Sequence, residues 1–160
     1  MIFIDSKENN TFKKIKKLRT KKYRDTEKKF LAEGVKFLDF DTVPEIIAID
    51  ENFSENKEIL SKVEKFKESR KIILSENLFS QLSSQENSQG VILVYGYSEN
   101  NINEIGDNII VLDRVGDPGN LGTIIRTADA AGFKDIILTK GSVDCYNEKT
   151  VRSTMGSVFN

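Results

Sequence analysis

The stretch "NIIVLDRVGDPGNLGTIIRTADAAGFKDIILTKG", Asn108 to Gly141, decides the fold of the second half of the chain. Its two outer runs, "NIIVLDRV" and "KDIILTKG", are apolar throughout, as buried parallel strands are. Between them a glycine-rich turn runs into a helix. A step of about 100° per residue puts Leu121, Ile124, Ile125 and Ala128 on one apolar face, and Gly132 supplies the stop. Asn120 reads as the N-cap, with Pro118 fixing the turn before it. Arg126 lies well away from the apolar face, and Gly122 sits one turn before it on the same side. Free N–H groups at a helix start, with an arginine fork beyond them, describe an anion site. The competing reading pairs Arg126 with Asp129 at i+3 on a solvated helix. The glycine spacing, Gly116, Gly119 and Gly122, matches neither the dinucleotide fingerprint nor a Walker loop.

Downstream, "NEKTVRSTMGSVF" reads as a further helix. Lys149, Arg152 and Gly156 share one face, and Val151, Met155 and Val158 form a separate apolar stripe. Alone, that pattern is a solvated face. Upstream, "SENNINEIGDN" is polar and reads as a linker. Before it, strands "KKFLAEG", "PEIIAID", "KIILS" and "VILVYGY" alternate with helices "VKFLDF", "SENKEILSKVEKFKESR" and "ENLFSQLS". That alternation predicts α/β layers. The expected organisation is a first domain over 1–97, a linker over 98–108 and a second domain over 109–160. Two strands and two helices cannot cover a parallel sheet on both faces, so the second domain is expected to be incomplete.

The N-terminal region carries the charge. Residues 1–38 hold 12 Lys/Arg against 5 Asp/Glu, a balance of +7, whereas the other 122 residues hold 12 against 20, a balance of -8. In "NNTFKKIKKLRTKKYR", Asn10 or Thr11 is the expected N-cap. Phe12, Ile15 and Leu18 fall on one helical side, with Lys13, Lys14, Lys17 and Lys21 on the other. A basic turn, "TKKYRD", follows. Such a surface suits a polyanion, although a lysine-rich solvated face would look the same.

The chain has no histidine and one cysteine, Cys145. Nucleophilic sites built on Ser-His-Asp or Cys-His are therefore excluded, as is an internal disulfide. The commonest metal ligand is missing, and no metal is expected. No apolar run approaches the roughly 20 residues that span a bilayer, and "MIFIDSKENN" is too short and polar for a secretory h-region. No membrane partner is expected, and the cytoplasm is the expected compartment.

Taken together, "NLGTIIRTADAAG" and "KTVRSTMGSVF" resemble the first two motifs of the SpoU branch of the SPOUT RNA methyltransferases. The first, N-x-G-x-x-x-R-T-A, is matched by Asn120, Gly122, Arg126, Thr127 and Ala128. The second is matched by Lys149, Arg152, Met155 and Gly156. "KKYRDTEKKFLAEGVKF" and "LFSQLSSQENSQGVILV" are similar to the L30e-like substrate-binding module that precedes the catalytic domain in many members. The family more often has Pro where Ser88 stands. The resemblance implies an α/β fold, an L30e-like domain followed by the first βαβα part of a SPOUT (alpha/beta knot) domain with the knot portion absent. The family's later donor-binding motif has no counterpart here.

The implied activity is transfer of a methyl group from S-adenosylmethionine to a ribose 2'-hydroxyl of RNA, ribosomal rather than transfer RNA. A homodimer is implied for the full-length enzyme, and weak donor binding for this chain. The reaction is an in-line displacement at a sulfonium methyl, so the protein must position the oxygen and help its proton leave. The family assigns the counterpart of Arg126 a catalytic role, in some proposals as a general base. Guanidinium groups are poor bases at neutral pH. Arg126 is therefore expected to grip a phosphate bidentately and stabilise oxyanion charge. Asn120 would shape the turn or hold the ribose. Lys149 and Arg152 would contact RNA, a partner subunit or the donor site. Lys13, Lys17, Arg19, Lys21, Lys22 and Arg24 are the expected RNA contacts of the first domain. The alternative is a non-catalytic RNA-binding module or an inactive fragment.

Overall fold

Period-2 alternation of apolar side chains builds the first sheet. Its strands are Ile2–Ile4 (β1), Lys29–Glu33 (β2), Ile46–Asp50 (β3), Arg70–Leu74 (β4) and Val91–Gly96 (β5). They lie in the order β1-β4-β3-β5-β2. The pairs β1/β4 and β3/β4 are parallel, and β5 runs antiparallel to both β3 and β2. Ile72 and Ala48 face each other in the central parallel register and belong to one buried cluster with Leu31, Ile92 and Val94. Ile47, Ile49, Leu93 and Tyr95 alternate with these residues and are equally buried, so the sheet is covered on both faces.

Helix Asn10–Lys17 (α1) supplies Phe12 and Ile15 to that cluster, and Glu76–Ser80 (α4) supplies Leu78 and Phe79. Helix Lys57–Glu64 (α3) buries Ile59 and Val63. On the far face Tyr95 stacks on Phe30 and donates its hydroxyl hydrogen bond to the carbonyl of Phe37 at 3.1 Å. The computed structural model describes every residue from Met1 to Asn160, and the chain divides into two units, Met1–Gly96 and Tyr97–Asn160.

Several local readings change. β1 was not expected, because it is three residues long and exposes Ile2 and Phe3. Asn9, one residue before the expected caps, accepts from the N–H groups of Thr11 and Phe12. The basic turn is a helix, Lys21–Glu27 (α2). It has no apolar stripe to betray it; a buried arginine anchors it instead.

The second unit contains Ile109–Leu112 (β6), Pro118–Ala130 (α5), Asp135–Leu138 (β7) and Glu148–Ser153 (α6). β6 and β7 pair in parallel, with Ile110 opposite Ile136. This two-stranded sheet leaves apolar surface open: Val111 is 61% and Ile109 40% exposed. No helix of the chain is long and apolar enough to cross a membrane.

Candidate functional site

The N-cap of helix α5 lies three residues earlier than the sequence suggests. Asp117 is its N-cap, accepting from the N–H of Asn120 at 2.7 Å, and Pro118 occupies the first turn. Asn120 is therefore inside the helix, with an exposed side chain. This corrects the anion-site reading, since a carboxylate already holds the helix start and would repel a phosphate there. Leu121 and Ala128 are buried at 0% and 3% exposure. The helix closes with a Schellman motif: Gly132 N–H bonds Asp129 O at 3.0 Å and Phe133 N–H bonds Ala128 O at 2.9 Å.

Arg126 is exposed and makes no ion pair or hydrogen bond within the chain. The expected alternative partner, Asp129, instead accepts from the side-chain amide of Asn160 at 3.0 and 3.2 Å. The hydroxyls of Thr123 and Thr127 donate to carbonyls four residues back, both at 2.9 Å.

Gly122 has a different use from the one its spacing suggests. It is buried, and a Cβ there would come within 2.4 Å of Ser153 Cβ and 2.7 Å of the Thr150 carbonyl. The bare glycine is what lets α6 lie against α5, one turn from Arg126. The two sequence clusters thus occupy adjoining helices. Asn147 caps α6 by accepting from Lys149 N–H at 3.0 Å. Thr150, Val151 and Thr154 are its buried stripe, each at 0% exposure. That stripe also corrects the expected one: α6 ends at Ser153, and Met155 stands exposed beyond it in a left-handed conformation. Gly156 lies outside the helix, buried and left-handed, so it shares no helical face with Lys149 and Arg152. Lys149 is exposed and Arg152 half-buried.

Sequence reasoning missed the aromatic clasp ahead of α6. Tyr97 and Tyr146 stack at 4.0 Å between ring centroids, and Tyr146 Oη accepts from Ser98 N–H at 3.3 Å. Burial pushes the Tyr146 hydroxyl above the usual tyrosine value, Cys145 and Asp144 add to the rise, and the Ser98 bond opposes it.

A groove of about 280 Å³ runs beside α5, lined by Ile110, Thr123, Ile124, Thr127, Ala128, Ala131 and Phe133. A sulfonium amino-acid nucleoside needs acceptors for its ammonium and exocyclic amine and donors for its carboxylate. The only side-chain polar groups in this lining are two threonine hydroxyls already donated to the helix, so the groove does not fit such a donor. No group of three or more His, Cys, Asp or Glu residues is arranged to hold a metal ion.

In the first unit the cations fall into two sets. Lys13 pairs with Glu8, Lys21 with Asp25 at 2.6 Å, and Arg19 donates to the Gln81 carbonyl at 2.9 Å. Lys17 lies over the Tyr23 ring at 5.5 Å, and Lys14 and Lys22 are exposed. Arg24 is the exception, and its expected RNA contact is corrected. At 3% exposure it donates to the carbonyls of Leu18 and Arg19, both at 3.0 Å. The guanidinium closes the C-terminal end of α1, where a cation is favoured, and it faces inward.

Glu33 on β2 holds the loop before β5. Its carboxylate accepts from the hydroxyls of Ser83, Ser84 and Ser88 and from Ser84 N–H. Ser88, where a proline was the family expectation, also accepts from Gly90 N–H at 3.2 Å.

Residues 9–93 match the MRM3-like substrate binding domain, and residues 107–160 match the SpoU rRNA Methylase family. The chain is 37% identical, over 98% of its length, to the 23S rRNA (guanosine(2553)-2'-O)-methyltransferase RlmP of Bacillus subtilis, and covers 62% of that protein. It is 47% identical to human mitochondrial rRNA methyltransferase 3 over 51 residues, covering 32% of this chain and 12% of that protein. Among solved structures, the AdoMet-bound rRNA methyltransferase from Sinorhizobium meliloti superposes with a TM-score of 0.79 at 34% identity, covering 98% of this chain and 61% of that one. AviRb from Streptomyces viridochromogenes, a SpoU methyltransferase in complex with AdoMet, gives 0.81 at 25% identity, covering 95% of this chain and 61% of that one. The chain thus spans about three-fifths of the Bacillus protein and of the two solved chains.

Proposed function

Because the chain belongs to the SpoU rRNA methylase family and opens with an MRM3-like substrate binding domain, we propose that it serves S-adenosylmethionine-dependent methylation of ribose 2'-hydroxyls in ribosomal RNA. The observation that carries this reading is Arg126: exposed, without a partner in the chain, and one turn from the glycine contact that joins the two motif helices. In this role Arg126 grips an RNA phosphate bidentately, with two of its three guanidinium nitrogens. That grip fixes the ribose and offsets the charge that grows on the attacking oxygen. Asn120, exposed in the first turn of α5, holds the ribose, and Thr127 keeps its hydroxyl in the helix. Lys149 and Arg152 extend the cationic surface from α6.

The division of labour follows the organisation of the chain. Residues 1–97 bind RNA through Lys13, Lys17, Arg19, Lys21 and Lys22, residues 98–108 join, and residues 109–160 begin the catalytic part. Because the groove beside α5 does not fit the methyl donor, no step is assigned to donor binding by this chain. Assembly as a homodimer and action in the cytoplasm complete the proposal. In the protein expressed from its complete reading frame, Arg126→Ala should cut methyl transfer from tritiated donor to 23S rRNA by at least about 100-fold, while rRNA affinity stays within about threefold of wild type. Wild-type turnover in that variant would remove Arg126 from the reaction. Wild-type rRNA binding with no transfer in the unmodified protein would favour a binding-only role, for which the lysine face of the first unit is sufficient.

A further inference from the structure

Three residues other than glycine adopt a left-handed backbone: Lys28, Met155 and Arg114, with φ of 54°, 54° and 53°. Lys28 is the C-cap of α2, and Met155 directly follows the C-cap of α6. Left-handed residues are ordinary at helix ends, where they satisfy the last carbonyls. Arg114 ends no helix. It lies between β6 and Asp117, the cap of α5, where a glycine or asparagine would bear the conformation at lower cost.

The surroundings hold it there. Arg114 N–H donates to Thr139 Oγ1 at 3.1 Å, and that hydroxyl donates to Asp113 Oδ1 at 2.7 Å. Val115 N–H donates to Ser142 Oγ at 3.2 Å, and Val143 N–H returns to Val115 O at 2.8 Å. The Arg114 side chain passes over Gly141, where an added Cβ would sit 3.6 Å from its Cγ. Its exposed guanidinium makes no hydrogen bond or ion pair in the chain. The flanking carboxylates are committed elsewhere, Asp113 to Thr139 and Asp117 to Asn120 N–H. The position is at the carboxyl ends of the parallel strands β6 and β7, where open α/β sheets take their ligands. Lys140 follows β7 at the same end.

We propose that Arg114 is a second phosphate-contacting residue for RNA, held outward at the strand ends by a backbone conformation that the loop's hydrogen bonds enforce. The inference rests on the RNA methyltransferase reading above. It is tested with the 160-residue chain, an in-vitro transcript of 23S rRNA, and filter binding across a salt series, beside thermal unfolding. Arg114→Asn should weaken binding about fivefold near 0.1 M salt and reduce the log–log salt slope by roughly one. Its Tm should hold or rise by about 2 °C, because asparagine tolerates the left-handed region. Arg114→Lys, which keeps the charge, should keep the slope. An asparagine variant with wild-type affinity and slope overturns the inference, as does one whose lost affinity accompanies a lowered Tm. A wild-type chain that binds no rRNA overturns the functional reading instead.

Discussion

Arg24 and Arg126 show how little an arginine's sequence context says about where its charge goes. Arg24 lies in the polar run "KKYRDT" and Arg126 follows two isoleucines, yet Arg24 is buried on two carbonyls and Arg126 is exposed and unpaired. Their difference is set by what lies beneath: α1 ends directly under Arg24 and offers it unsatisfied acceptors. Arg24→Ala should therefore cost about 3 kcal/mol in a denaturant titration, through two charge-assisted bonds and the acceptors left behind. Lys22→Ala should change stability by less than about 0.5 kcal/mol yet weaken rRNA binding. Equal stability losses in the two variants would refute that contrast. Tyrosines add a pH signature. Burial raises the hydroxyl of Tyr95 in one unit and of Tyr146 in the other above the ordinary value of 10. The unfolded chain then sheds these protons first as pH climbs, so the folded state loses stability above about pH 10, by up to ~1.4 kcal/mol per pH unit for each residue. Denaturant midpoints measured from pH 8 to 11 should fall only in the upper part of that range.

At the scale of elements, the periodic segments were legible and their ends were not. The apolar face of α5 could be read directly, because burial imposes its spacing; the flanking strands were legible as apolar runs, although the burial expected of them is not met at Ile109 and Val111. Asp117 was missed as a cap because Asn120, also a capping residue, lies three positions later in a turn that proline and glycine blur. α2 was missed because its stability comes from one buried cation and not from an apolar stripe. Gly122 is the instructive case. A glycine one turn from an arginine suggests room for a ligand, but only the fold reveals that a helix fills the room. Gly122→Ala should force α6 off α5 at a cost of about 1–3 kcal/mol, and the amides of Thr150–Thr154 should exchange faster in hydrogen-exchange measurements. Gly119→Ala, whose Cβ would meet only the cap carboxylate at 3.1 Å, should not loosen α6.

For the whole molecule, the charge division visible in the sequence has a structural counterpart, though not all of the basic surplus faces outward. Inward-facing Arg24 is lost to RNA, and Lys13 and Lys21 must trade their exposed carboxylate partners for phosphates, so the first unit offers RNA less than composition suggests. Binding should still fall steeply with salt, and a flat response between 50 and 200 mM would count against the lysine face. The open sheet of the second unit has a consequence for the 160-residue chain handled alone. Val111 and Ile109 stand exposed on β6, and a two-stranded sheet presents unpaired edges that recruit further strands. Stored at high concentration, the chain should scatter light increasingly over days. A single Val111→Lys exchange, which places a charge on the open strand, should keep the solution clear.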